Sequence, residues 1–389
     1  MNGRETTAHR LVGVDMARGL ALLGMMGVHI VPAVGDDGQT TAIYLLASGR
    51  ASALFAVLAG VGLALASGGA RPPTGRALHG AWAATASRAL LLVAVGLVIG
   101  SLDSGVAVIL VYYGLLFLLA LPFLGLPATV LLPLGALWAV AMPILSHAIR
   151  LDAPLSSGGN IAPESFADPA QMLWQLTLTG YYPVLPWMAY MLVGLGIGRL
   201  ALAATPVVIR LLIGGASLAV GTYLVSWIWL ETGGLERLTA AGTGMHPFSR
   251  PFDDAGELLN TSFYGTTPTT SGWWLMVASQ HTATPFDLLH TIGSSAAVLG
   301  VMLLLARRFS TALYPLGAIG SMTFTLYTLH VILLASLLPR TVEHALLVHV
   351  AVAFIIAVPW RRSIGRGPLE ALAARIAASA RAAVAGARR

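Results

Sequence analysis

The chain has 389 residues, of which 57% are hydrophobic and only 10% charged, with a formal net charge of +6. A soluble domain is about 45–50% apolar and about 25% charged, so this composition describes an all-α polytopic membrane protein, a bundle of transmembrane helices. Neither cysteine nor lysine occurs, which excludes disulfides, thiolate metal sites, cysteine nucleophiles and Schiff-base lysines.

Residues 1–10 are polar, and the apolar run after them lacks a small-residue cleavage site, so it reads as a retained first helix. Apolar runs long enough to span, about 17–25 residues, follow at 14–34, 43–67, 83–102, 105–123, 128–148, 183–203, 208–230, 285–305, 313–338 and 342–360. They predict about ten spans. The third and fourth form a tight helical hairpin. The ninth contains Pro315 and Gly317 and is expected to kink or to begin with a half-helix.

Arginine placement orients the bundle. With the N-terminus cytoplasmic, Arg150, Arg237, Arg250 and Arg340 fall outside, Arg50 falls within a span, and the rest of the 22 basic residues fall inside. That bias predicts both termini cytoplasmic. It also assigns the positive charge to cytoplasmic loops facing the lipid bilayer, so no nucleic-acid partner is expected. Residues 1–360 make one transmembrane domain with large outer loops at 149–182 and 231–284, and 361–389 make a basic cytoplasmic tail. Trp273 and Trp274 predict that the second loop packs onto the outer face. The tail reads as an Ala/Arg amphipathic helix on anionic headgroups.

Ionisable side chains inside spans are costly and usually functional. His29, Arg50, His290 and His330 share the outer half of the predicted bundle, and of the ten histidines only His9 and His79 lie inside. His29 sits among Gly24, Met25, Met26 and Gly27, where small residues admit a close neighbour or a ligand chain. His344 and His349 read instead as carbonyl-bonded histidines. Arg50 cannot shed its proton and needs a partner. Asp15 and Arg18 are spaced i, i+3 and can pair locally. Arg18 and His29 are eleven residues apart, about three turns and roughly 16 Å along one helix face. There is no Walker loop, dinucleotide glycine fingerprint or HExxH zinc signature, and no metal site is expected.

The segment VDMARGLALLGMMGVH resembles the first-helix signature of the transmembrane acyltransferase superfamily. That superfamily includes the YeiB-like (DUF418/DUF1624) bacterial membrane proteins, the heparan-α-glucosaminide N-acetyltransferase family and, more distantly, the acyltransferase-3 family. Further similar segments follow in order: SGRASALFAVLAGVGLAL, YYPVLPWMAYMLVGLGIGR, QHTATPFDLLHTIGSSAAVLG, IGSMTFTLYTLHVIL and RGPLEAL. Arg18 and His29 match the Arg-x10-His arrangement of acyltransferase-3 proteins, in which both residues are implicated in catalysis. The heparan enzyme instead carries its catalytic histidine in the loop after helix 1, and AVGDDGQTTAIY here contains none.

The resemblance implies a multi-pass protein of the plasma (inner) membrane and the cell envelope. It would move an acetyl or acyl group from acetyl-CoA or another acyl-CoA to a sugar or glycolipid hydroxyl or amine. His29 would be general base or transient acyl carrier, with Arg18 catalytic as well, and Arg50 or His330 would stabilise an oxyanion beside His290. Asp15, Arg71, Arg76, Arg307 and Arg308 would serve the donor's phosphates and entry. A homodimer is compatible with this reading. The competing class is a transporter or flippase of an envelope metabolite. It accounts for ten helices and buried polar groups, although an inverted repeat with paired helix breaks is not evident.

Overall fold

The computed structural model describes residues 11–151, 159–243, 255–260 and 263–386. Arg4, Arg10, Arg250, Arg388 and Arg389, used above for orientation, and two of the ten histidines, His9 and His246, lie outside the described residues. The described chain is all-helical. Its only strand-like pairing is an isolated bridge between Val34 and Thr40 that closes the loop after the first helix.

Each of the ten apolar runs is helical. The first is α1 (Val12–Ile30). The second divides into α2 (Ala42–Ala47) and α3 (Arg50–Ala66). Then come α4 (Gly75–Gly100), α5 (Leu110–Leu119), α6 (Ala128–Ile149), the short α7 (Pro169–Trp174), α8 (Val184–Gly198) and α9 (Thr205–Trp229). The chain continues through α10 (Leu235–Ala241), α11 (Ala255–Leu259), α12 (Pro285–Phe309), α13 (Tyr314–Gly320), α14 (Thr323–Ala335), α15 (Ala345–Ser363) and α16 (Pro368–Gly386).

Among the described residues six helices are long and apolar enough to cross a membrane: the α2–α3 unit, α4, α6, the α9–α10 unit, α12 and α15. The pair α13 and α14, bent by 78° at Ser321–Met322, makes a seventh if it is one span. Pro315 is not the cause of the bend, because it occupies the first turn of α13, where a missing N–H costs nothing. Helix α5 has 10 residues and α8 has 15, short of a full span, and α1 carries Asp15, Arg18 and His29. The hairpin expected between the third and fourth runs is a looser one, with residues 101–109 as linker.

Helix α8 is buried along its length between α3 and α6. The crossing with α3 is a backbone contact: a Cβ on Gly194 would run into the Val57 carbonyl, and one on Gly60 would meet the Met191 carbonyl. In lipid, such small-residue contact replaces the hydrophobic drive of a soluble core. The arginine-bearing end of α1 is held the same way. Gly19 and Gly320 bring α1 and α13 together, with no room for a side chain on either. The outward faces of α4, α6, α9 and α15 display Leu90, Val98, Leu137, Ile213, Val225 and Ile355, a surface suited to acyl chains.

The described part of the 231–284 segment has a small core of its own. Trp274 is fully buried in a satellite core with Leu238, Leu258, Phe263 and Val277. Trp273 stacks on Trp229, with the Arg237 guanidinium 5.1 Å above its ring. Helix α16 lies along α4 and touches α14, with Ala377 buried, so part of its surface meets protein where the sequence suggested headgroups.

Candidate functional site: a histidine relay above an arginine-lined cavity

Three helices bring three imidazoles into line. His29, at the end of α1, places Nδ1 3.1 Å from His330 Nε2 on α14. His330 Nδ1 is 3.0 Å from His349 Nδ1 on α15, and His349 Nε2 is 2.9 Å from the Leu338 carbonyl. The rings of His29 and His330 are nearly coplanar, at 12°, and His349 stands across His330 at 80°. His330 and His349 are buried, and His29 is half-buried.

The carbonyl fixes the protons of this chain. A carbonyl only accepts, so His349 Nε2 carries the hydrogen, and the neutral ring presents a bare Nδ1. His330 Nδ1 then donates to it and leaves its own Nε2 bare. His29 Nδ1 donates in turn, and its Nε2 is left as an unprotonated lone pair. No described residue hydrogen-bonds that nitrogen. Local chain geometry supports the anchor: the residues before α15 turn through His344 in a left-handed conformation (φ 57°), bringing the Leu338 segment back over His349. His344 itself is exposed beside Glu343.

Below His29 the Tyr327 ring stands edge-on at 6.5 Å, its hydroxyl accepting the Ile109 N–H at 3.3 Å. Tyr327 also lines a cavity of about 340 Å³ together with Phe55, Ala59, Arg18, Arg88 and Glu370. Arg18 donates to the Leu58 carbonyl at 3.3 Å and lies 3.9 Å from the Asp15 carboxylate. The i, i+3 pairing expected of Asp15 and Arg18 is therefore present. A second cavity, about 520 Å³, adjoins it through Ala66 and holds Arg71, Arg76 and Arg381.

Arg50 and His290 form a separate unit. Arg50 Nε donates to His290 Nε2 at 3.0 Å, and Nη1 donates to the Leu45 carbonyl at 2.7 Å. His290 Nδ1 donates to the Ala219 carbonyl at 2.9 Å, so Arg50 has the neutral imidazole as its partner. Among the described residues no hydrogen bond joins this pair to the His29 chain. Arg50 faces a cavity of about 510 Å³ beside the 231–284 segment, with Tyr44, Tyr223, Trp227, Glu231 and Glu236. His281, outside the spans, lies against Tyr181 at 4.6 Å, and burial lowers its imidazole to about 4.

Other arginines have structural work. Arg199 donates to the carbonyls of Ala64, Ser67, Gly69 and Leu124, closing the end of α3. Arg307 donates to Thr205 Oγ1 and the Ala203 carbonyl at the foot of α9. Neither Arg307 nor Arg308 lines the two arginine cavities.

Residues 10–225 match the family model described as heparan-alpha-glucosaminide N-acetyltransferase, catalytic. The chain belongs to this family. No curated protein matches it. The acetyltransferase match runs from α1 through most of α9, so it covers Asp15, Arg18, His29, Arg50, Arg71, Arg76 and Arg88. His290, His330, His349 and Arg381 lie beyond the matched segment.

Sequence reasoning paired His29 with His330 in the same half of the bundle, and the structure joins them directly. It passed over His349, whose carbonyl bond looked like mere satisfaction of a polar ring. It also passed over Arg88, Tyr327, Glu370 and Arg381. Arg88 had a signal, being a charge well inside an apolar run. Glu370 and Tyr327 lie in two of the quoted family-like segments, but nothing in those segments singles them out, and a surface arginine such as Arg381 acquires meaning only from its neighbours.

Proposed function

We propose that this protein is a membrane-embedded acyltransferase that moves an acetyl or other acyl group from cytoplasmic acyl-CoA to an extracytoplasmic sugar or glycolipid. The acceptor supplies a hydroxyl or an amine. One observation carries the reading: Tyr327 lines the arginine cavity on one side and stands against His29 on the other. A pantetheine arm entering past Arg18 and Arg88 would climb along α1, and the roughly 16 Å from Arg18 to His29 suits its reach.

In this mechanism the His29 Nε2 lone pair takes the proton of the acceptor O–H or N–H as the acceptor oxygen or nitrogen attacks the thioester carbon. The tetrahedral oxyanion collapses, the C–S bond breaks, and the CoA sulfur leaves as thiol with the proton returned by His29. His330 and His349 hold the reacting tautomer. Arg71 and Arg76 meet the donor's phosphates, and the Asp15–Arg18 pair braces the entry. Arg50, in the cavity under the outer loop with aromatic and carboxylate neighbours, belongs to the acceptor side. This reading takes the chain as ten spans in the inner membrane with both termini cytoplasmic, so that the arginine cavities serve the donor side and the 231–284 loop the acceptor side.

The absence of cysteine gives a clean assay. Purified protein is incubated with acetyl-CoA and a panel of amino sugars and glycolipids, and free thiol is followed with a chromogenic reagent. Thiol release that requires both an acceptor and His29 supports acyl transfer. A folded sample that neither releases thiol nor binds acetyl-CoA by calorimetry, yet moves substrate in proteoliposomes, establishes the transporter reading instead.

A further inference from the structure

Helix α16 is fastened at both ends to the arginine-rich side of the bundle. Near its start, Glu370 Oε1 accepts the N–H groups of Phe324 and Thr325 at 2.7 and 3.2 Å, and Oε2 accepts the Thr325 hydroxyl at 2.6 Å. This carboxylate caps the orphan donors of α14 from another helix and sits at the positive end of its dipole. Eleven residues later, roughly 16 Å along the helix, Arg381 donates to the Ala66 carbonyl at 3.3 Å. Its aliphatic stem lies over Gly80, where a Cβ would come 3.1 Å from Arg381 Cγ.

Between these anchors α16 forms a wall. Ala373 and Ala374 line the cavity that leads to Tyr327, and Arg381 lines the adjoining cavity with Arg71 and Arg76. Among the described residues, that second cavity is lined by three guanidiniums and no carboxylate. Unneutralised guanidinium groups converging on one space call for a polyanion, and their planar forks suit phosphate oxygens. Ala66 lines both cavities. An occupant with phosphates at one end and a thin arm at the other suits both, whereas a lipid headgroup suits only the cavity of Arg71, Arg76 and Arg381.

Building on the acyl-CoA reading, we infer that the C-terminal helix is part of the donor site. Arg381 closes with Arg71 and Arg76 on the phosphates of the acyl-CoA, while Ala373 and Ala374 cover the path of its pantetheine arm.

The test is calorimetry on the full-length protein in zwitterionic nanodiscs, with acetyl-CoA and S-acetylpantetheine as probes. Removing a charge-assisted phosphate contact in R381A should weaken acetyl-CoA binding about tenfold or more and leave S-acetylpantetheine binding unchanged. R381K, which keeps the charge and the stem, should fall between. E370Q, which loosens the start of α16, should weaken both probes. Unfolding curves confirm that each variant is folded. Wild-type affinity for acetyl-CoA retained in R381A overturns the inference and leaves the acyl-CoA reading standing. A wild type that binds no acetyl-CoA removes that reading and the inference with it. Unchanged acetyl-CoA binding in R381A combined with lost binding of phosphatidylglycerol assigns the cavity of Arg71, Arg76 and Arg381 to a lipid headgroup and also overturns the inference.

Discussion

His330 Nδ1 and His349 Nδ1 stand 3.0 Å apart, two ring atoms of the same kind sharing one hydrogen. Since the Leu338 carbonyl claims the proton on the far side of His349, the shared hydrogen belongs to His330. The backbone of the α14–α15 connection thereby sets the protonation of His29, two rings away. His349→Leu breaks the chain and frees His29 to take the other tautomer. His349→Gln keeps it, because the amide both donates to the carbonyl and accepts from His330. Using an acceptor found in the thiol assay, His349→Leu should lower kcat about 100-fold, the scale of a misplaced catalytic group, with KM for acetyl-CoA unchanged. His349→Gln should recover most of the loss. Equal activity in the two variants would show that His349 only fills space.

His29→Ala removes the proposed base. Thiol release should fall by about 10²–10⁴-fold, the usual contribution of a positioned general base, while acetyl-CoA still binds. Stopped-flow release and calorimetry on the same preparation separate the two effects. Parallel loss of binding and folding would make His29 a structural residue.

These expectations also mark what was legible in the chain. All ten apolar runs became helices, because length and hydropathy decide that locally. Depth was legible too, and it put His29 with His330. Azimuth was not: the sequence puts Arg50 at the same predicted depth, yet it turns toward His290 and the cavity beside the 231–284 segment. The ninth run bends at Ser321–Met322, not at its proline, since a first-turn proline is harmless. The α16 pattern reads as an interfacial helix because its alanines do not announce a protein neighbour. Only the Glu370 cap and the Arg381–Ala66 bond reveal where it docks.

Ala59 is half-buried and lines the cavity between Arg18 and Tyr327. Ala59→Phe puts a ring into the proposed pantetheine path without adding a polar group. KM for acetyl-CoA should rise at least about tenfold, since the arm must displace a side chain from about one ring's volume of space, and the unfolding midpoint should change little. An unchanged KM would place the donor elsewhere in the bundle.

His281 gives a stability signature with a defined sign. Burial against Tyr181 and Tyr182 lowers its imidazole from 6.5 to about 4, and among the described residues its Nδ1 has no hydrogen-bond partner. Between those pH values the unfolded chain binds the extra proton and the folded one does not. The fold is therefore fully stable with respect to this group above pH 6.5 and loses stability as pH falls toward 4. The ceiling on that loss is about 3 kcal/mol. In detergent, the thermal midpoint should drop across this window. His281→Gln, which does not titrate, should show a smaller drop measured against the wild type on the same buffers. Superimposable pH curves for the two proteins would mean that His281 accepts its proton in place, through water reaching the Tyr181 pocket.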